Sequence, residues 1–238
     1  MWKNINLEEC LSHIKRQAEF GAGGLPEVKP AITISRQCGS GGRSVASQLA
    51  EYLEPHAPFG CHWTIFDRNL IRKVLEDHWV SARLAEFLPE SSKSLLAELL
   101  VKLRGKHPSA SDIVVQTVET IWQLAAGGYV ILVGRAGNVI TAKLPNVFHV
   151  RLVASLEKRI ERVEEVYDFD RFAALEYIKS QDAAKRQYLK EYFGQDIDNP
   201  ELYHLVVNTD RIAYDDAARL IGDAVINWLK LAPAAHAN

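Results

Sequence analysis

The sequence predicts an α/β fold, a parallel five-stranded sheet flanked by helices, on three observations. Five short apolar runs, Ala31–Ser35, Trp63–Phe66, Tyr129–Val133, Val147–Val153 and Leu205–Val207, have the length and composition of buried strands. Helical patterns lie between most of them, and connections longer than a dozen residues with helices inside them belong to parallel pairing. The chain's 238 residues, 47% of them hydrophobic, suffice for one well-packed α/β domain, or one domain with a lid.

Taken in order, residues 4–20 read as an amphipathic helix, with Ile5, Leu7, Leu11 and Ile14 at near-helical spacing. Gly21–Pro30 holds three Gly and two Pro, a linker composition, so residues 1–29 are expected to stand apart from a main domain over 30–238. The run AITIS meets a glycine-rich turn and then a helix with Val45, Leu49 and Leu53 on one face. Trp63–Phe66 ends in Asp67, and residues 68–126 follow as a helical excursion without a clear strand. Tyr129–Val133 runs into Gly134-Arg135, and Val147–Val153 feeds a helix bearing Arg159 and Arg162. Residues 167–200, rich in charge and aromatics, are expected to form a lid. After Leu205–Val207, the stripe Ala217, Leu220, Ile221, Ala224, Val225, Trp228 marks a last helix over Tyr214–Leu229.

Composition removes several function classes. A formal net charge of −2 with interspersed signs gives no basic field for nucleic acid. Cys10, Cys38 and Cys61 form no C-x-x-C pair, which fits a reducing compartment. The eight histidines show no H-E-x-x-H pattern, so no protein-built metal site is expected. The opening MWKNINLEECLSHIK carries charges where a signal peptide has an apolar run, and no stretch approaches the roughly 18 apolar residues of a membrane span. A cytoplasmic protein with no membrane partner is expected; the oligomeric state is not legible.

The chemistry concentrates in ITISRQCGSGGRS, residues 32–44. A loop that wraps a phosphate needs glycines, because its backbone N–H groups must converge on the anion. Gly39, Gly41 and Gly42 supply them, with Ser40 between, and the helix that follows offers its positive N-terminus. Against G-x-x-x-x-G-K-[ST], Gly41 and Gly42 take the places of the glycine and the lysine, Arg36 that of the first glycine, and Ser44 is read as the hydroxyl on magnesium. Arg43 is the nearest cation to replace the lysine, with Arg135 and Arg186 as alternatives from other elements. The bland alternative is a glycine-rich turn without a ligand.

Other elements supply further candidates. Ligands of open α/β sheets bind beyond the carboxyl ends of the strands, where Gly134-Arg135 falls, so Arg135 is placed to grip a phosphate. Asp182, Lys185 and Arg186 share one face of a helix and could close over a triphosphate, or form a solvated charged surface. Asp67 either contacts the acceptor or caps the next helix. Arg159 and Arg162 either reach the phosphates or pair with Glu along their own helix.

These segments resemble the cytidylate-kinase-like family of P-loop nucleoside monophosphate kinases. The resemblance is carried by ITISRQCGSGGRSVASQLA, the FDR after the second strand, VILVGRAGNVI, VFHVRLVASLEKRIERV, the D-x-x-K-R at 182–186 and LYHLVVNT, in order over about residues 31–229. It implies a P-loop kinase fold with a helical monophosphate-binding region and a lid. It implies transfer of the γ-phosphate of ATP, with Mg2+, to a nucleoside monophosphate, CMP or dCMP. By the same resemblance Gly39–Ser44 hold the phosphates and Asp67, Arg135 and Asp182 lie on the acceptor side. Arg159 and Arg186 belong to the lid, and Asn208 and Thr209 to the loop beside the base of the triphosphate. Two positions depart from the typical cytidylate kinase: Gly42 replaces the lysine, and Ala136 replaces an acidic residue after Gly-Arg.

Overall fold

The computed structural model describes residues 29–56, 62–67, 69, 71, 90–106 and 112–235. The expected helix over 4–20 and nearly all of its linker lie outside them. Five strands form one sheet: β1 Ala31–Arg36, β2 Thr64–Phe66, β3 Val130–Val133, β4 Val147–Val153 and β5 Leu205–Asn208. Their order is β2-β3-β1-β4-β5 and every pair is parallel. Each strand falls on a predicted run, displaced by no more than a residue at an end.

Seven α-helices are described: α1 Gly42–Leu53, α2 Glu90–Lys106, α3 Asp112–Gly127, α4 Gly137–Ile140, α5 Leu156–Tyr167, α6 Arg171–Phe193 and α7 Tyr214–Ala235. Within the expected helical excursion, α2 and α3 are the described parts. The predicted lid segment is mostly one helix, α6.

Strands β1 to β4 feed both faces of the sheet, and β5 feeds one. Ile32, Ile34, Ile131 and Val133 pack with Val45, Leu49 and Leu53 of α1 and with Ile221 and Val225 of α7. Ala31, Val130 and Leu132 pack with Ile121 and Trp122 of α3 and Leu189 of α6. Covering both faces explains why β3, Val-Ile-Leu-Val, reads as an unbroken apolar run rather than an alternation. At about 25 cal/mol per Å² of buried apolar surface, these two layers are the main stabilising term.

The β1–β4 seam also carries a buried polar ladder. Register pairs Thr33 with His149 and Ser35 with Arg151. Thr33 Oγ1 and His149 Nδ1 are 2.8 Å apart, and Arg151 Nη1 donates to Ser35 Oγ at 2.9 Å. Buried polar groups so paired avoid the cost of an unmet hydrogen bond.

Candidate phosphate-binding site

Three helix starts differ in a way that locates the site. Ser155 caps α5 by accepting from the Lys158 N–H, and Asp170 caps α6 by accepting from the Ala173 N–H. Helix α1 begins after Gly41, which stands at φ +79° and ψ +18° and provides no side-chain cap. The first turn of α1, like that of α4 after Ala136, thus has no side-chain cap at the positive end of the helix dipole, where an anion is favoured.

The glycines of this loop are required by contact as well as by conformation. A Cβ on Gly39, at φ +84°, would lie 2.6 Å from the Arg159 carbonyl oxygen, and one on Gly41 would overlap the Tyr214 ring. Between them, the Ser40 hydroxyl donates to the Gln37 carbonyl at 2.9 Å and braces the turn. Thr209, after β5, seats its hydroxyl on the Ser40 carbonyl at 3.2 Å and its N–H on the Val153 carbonyl at 2.9 Å. Asn208 Oδ1 accepts from the Asp210 N–H at 3.0 Å. The structure thus brings Thr209 beside the loop, while the Asn208 side chain braces the turn that follows β5.

Gly41 and Gly42 take the places of the glycine and lysine, and α1 begins at Gly42. The next residue, where the motif has its hydroxyl, is Arg43; Ser44 lies one position further on. Ser44 Oγ accepts from Arg162 Nη2 at 3.3 Å. Among the described residues, no group of three or more His, Cys, Asp or Glu could hold a metal ion.

Beyond the ends of β1 and β3 lies a cavity of about 280 Å³, whose walls include Arg36, Gly134, Arg135, Ala136 and, from α6, Lys185 and Tyr188. Arg135 and Ala136 both adopt positive φ, +55° and +58°, so the chain turns sharply past the cavity mouth. Such conformations cost about 1 kcal/mol or more at non-glycine residues and are also adopted by Tyr129 and Asp168. Arg36, the last residue of β1, packs its guanidinium where a Cβ on Gly134 would lie.

Most predicted cations are held by carboxylates. Arg43 is bonded to Asp67, and its side chain is 62% exposed. Arg159 Nη1 donates to Asp182 Oδ2 at 2.5 Å, and Lys185 Nζ to Asp182 Oδ1 at 3.0 Å. Asp182 Oδ1 also accepts from the Cys38 N–H at 2.8 Å, so this buried carboxylate clasps α6 to the loop. Burial pushes its carboxyl up, but Lys185, the Cys38 N–H and Arg159 outweigh that and hold it below the usual value. Burial, followed by the neighbouring Arg36, depresses Lys185. Arg186 lies apart from this group, donating through Nε to Asp198 at 3.1 Å, and Arg151 Nη2 reaches the same carboxylate at 2.6 Å.

Sequence reading named the loop, Arg135, Asp182 and Lys185, but not that Asp182, read as an acceptor-side residue, is taken up by Arg159, Lys185 and the Cys38 N–H. It passed over Arg36 as a side chain, although arginine in the place of the first glycine was a visible signal. It also missed the Ser35–Arg151–Asp198 chain, which depends on strand register.

A parallel sheet in this order, with an uncapped glycine loop after its first strand and cations beyond the strand ends, defines a P-loop kinase fold. The sequence pattern of the cytidylate kinase-like family matches residues 31–211, and the chain belongs to that family. Among its relatives, the cytidylate kinase of Pyrobaculum neutrophilum is 27% identical over 84% of this chain and 95% of its own. That of Halobacterium salinarum is 28% identical over 82% of this chain and 88% of its own. A solved structure from Eubacterium ventriosum superposes with a TM-score of 0.65 at 21% identity, covering 84% of this chain and 99% of its own, and shares the fold. Among the described residues no helix is long and apolar enough to cross a membrane.

Proposed function

We propose that the protein transfers the γ-phosphoryl group of ATP to a nucleoside monophosphate, with CMP or dCMP as the preferred acceptor. The observation that carries this reading is the Gly39–Gly42 cradle, uncapped at the head of α1 and opening beside the cavity lined by Arg135. The family and the relatives' names support the same chemistry.

Phosphoryl transfer asks a protein for positioning and charge neutralisation more than for covalent steps. The N–H groups of Gly39–Gly42 would bind the β- and γ-phosphates, with Asn208 and Thr209 beside the base. Arg135 would hold the acceptor's phosphate. A cradle free of Cβ atoms suits a triphosphate, and magnesium would arrive on the phosphate oxygens, with Ser44 as the hydroxyl in the first turn of α1. When bound, magnesium neutralises charge on the phosphates. Helix α6, clasped by Asp182, would act as the wall that keeps water from the transferred group.

The test is phosphotransfer from Mg-ATP to a panel of ribo- and deoxy-monophosphates. The expected result is highest kcat/KM with CMP or dCMP. Higher activity on AMP, GMP or UMP would overturn the cytidylate assignment and leave the kinase. No transfer to any acceptor would overturn the kinase reading and leave a nucleotide-binding protein.

A further inference from the structure

Two positions in the loop exchange residue types. Arginine stands at 36, where a phosphate loop has its first glycine, and glycine stands at 42, where it has its lysine. The structure joins the two. A Cβ on Gly42 would come within 2.9 Å of Arg36 Cγ and 3.3 Å of its Cδ, so the arginine's methylenes fill the space above residue 42. From there the side chain runs to the end of β3, where its guanidinium lies against Gly134. It thus spans from the first turn of α1 to the acceptor side of the cavity, and it lines that cavity.

The bonding of the neighbouring cations sets Arg36 apart. Arg43 is committed to Asp67, Arg159 and Lys185 to Asp182, and Arg186 to Asp198. Among the described residues, the Arg36 guanidinium makes neither an ion pair nor a hydrogen bond. A half-buried cation without a counter-ion is unfavourable, and an anionic ligand between the loop and β3 would offset that cost. Burial, joined by the neighbouring Arg43 and Arg135, depresses Arg36 from its ordinary value, and the attraction of Cys38 and Asp67 offsets only part of this.

We infer that the Arg36 guanidinium is the catalytic cation on the transferred phosphoryl group, doing from the end of β1 what the loop lysine does elsewhere. The inference rests on the phosphotransfer reading above. As an oxygen of the acceptor phosphate bonds to the γ-phosphorus, the bond from that phosphorus to the β,γ-bridging oxygen breaks and ADP leaves. Arg36 stays protonated throughout and neutralises charge on the oxygens in passage. Gly42 is glycine because a side chain there would displace Arg36.

The experiment compares Arg36→Met, Arg36→Lys and Gly42→Ala, the last alone and combined with Arg36→Met, in the full chain. Turnover, ATP affinity by calorimetry and ligand-free melting are measured for each. Arg36→Met is expected to lose about 10²-fold or more in kcat, with ATP affinity within about five-fold of the parent, as for a contact strengthened in the transition state. Its ligand-free melting temperature should equal or exceed the parent's, because an unpaired charge has been removed. Arg36→Lys should regain part of the turnover. Gly42→Ala should cost about ten-fold or more in the parent and little in the Arg36→Met background, since the two share one space. Turnover of Arg36→Met within about five-fold of an active parent, or an equal Gly42→Ala penalty in both backgrounds, would overturn the inference. Should Arg36→Met fail to fold, Arg36→Lys and Gly42→Ala decide: full activity in both overturns it, and loss in Gly42→Ala supports it. An inactive parent across the whole acceptor panel is a different failure, of the kinase reading itself, and the inference falls with it.

Discussion

At Gly39 the demands on one residue are backbone and contact at once: φ is +84°, and any Cβ would press on the Arg159 carbonyl. Either alone costs about 1–2 kcal/mol in a non-glycine residue; together they reshape the loop. Gly39→Ala is therefore expected to remain folded and to lose nucleotide binding. The parent, at about 100 times the dissociation constant of Mg-ATP, should gain about 2.7 kcal/mol of stability. Thermal melts with and without Mg-ATP check this, and a variant that keeps the parent's full ligand shift would refute it. The need for glycine here was legible in the sequence, because the conformation of a glycine-rich turn is a local property. The bond between Arg43 and Asp67 was not: it joins residues 24 apart, and it leaves Arg43 62% exposed and committed elsewhere.

Helix α6 shows how an element can hide its buried face. Its charged composition suggests a solvated lid, yet Ala174, Ile178, Asp182 and Leu189 are buried in one stripe. Ala174 and Ile178 pack on Ile160 and Val163 of α5, and Leu189 joins the core under the sheet. An aspartate sits in that stripe because three donors, from Cys38, Arg159 and Lys185, converge on it. Asp182→Asn would leave Arg159 and Lys185 without their shared counter-charge. Removing one partner of a buried pair costs about 3 kcal/mol, which lowers Tm by about 6–12 °C in a chain of this size. Nucleotide binding should weaken as well, because the Cys38 end of the loop loses its anchor. A calorimetric melt within about 2 °C of the parent would show that the clasp carries no stability. The carboxylate's contribution is present above its unfolded value, 3.8, and is lost as pH falls through its lower folded value.

Across the whole molecule, β4 lies beside the central strand β1, with His149 buried in it. Burial, and to a lesser degree His204, brings His149 from its ordinary 6.5 down to about 3. His204 is lowered too, by burial, and its Nδ1 accepts from the His149 N–H at 2.9 Å, a role that needs the neutral ring. The unfolded chain takes up these protons first. The stability from keeping His149 neutral is therefore complete above pH 6.5 and is lost as pH falls toward 3. The slope approaches about 1.4 kcal/mol per pH unit. Denaturant unfolding at pH 7.0, 5.5 and 4.5 should show that decline, and His149→Asn should flatten it while lowering stability at pH 7. Parallel pH dependences in parent and variant would sink the assignment.

The sequence by itself determined where the strands lie, that they run parallel, where the glycine-rich loop meets the first helix and which family the pattern matches. Each is set by neighbours in the chain: apolar runs of strand length, helices between them, and glycines where the backbone must take positive φ. Only the tertiary structure decided which cations reach the cavity and which are spent on carboxylates. Arg36, Arg135 and Lys185 come from the end of one strand, the turn after another and a helix, and meet only when the sheet orders itself β2-β3-β1-β4-β5. Asp67, Asp182 and Asp198 draw off Arg43, Arg159 and Arg186 by proximity created in folding. Ion pairing falls off with distance, and the distances that choose a cation's partner are made by packing between residues far apart in the chain.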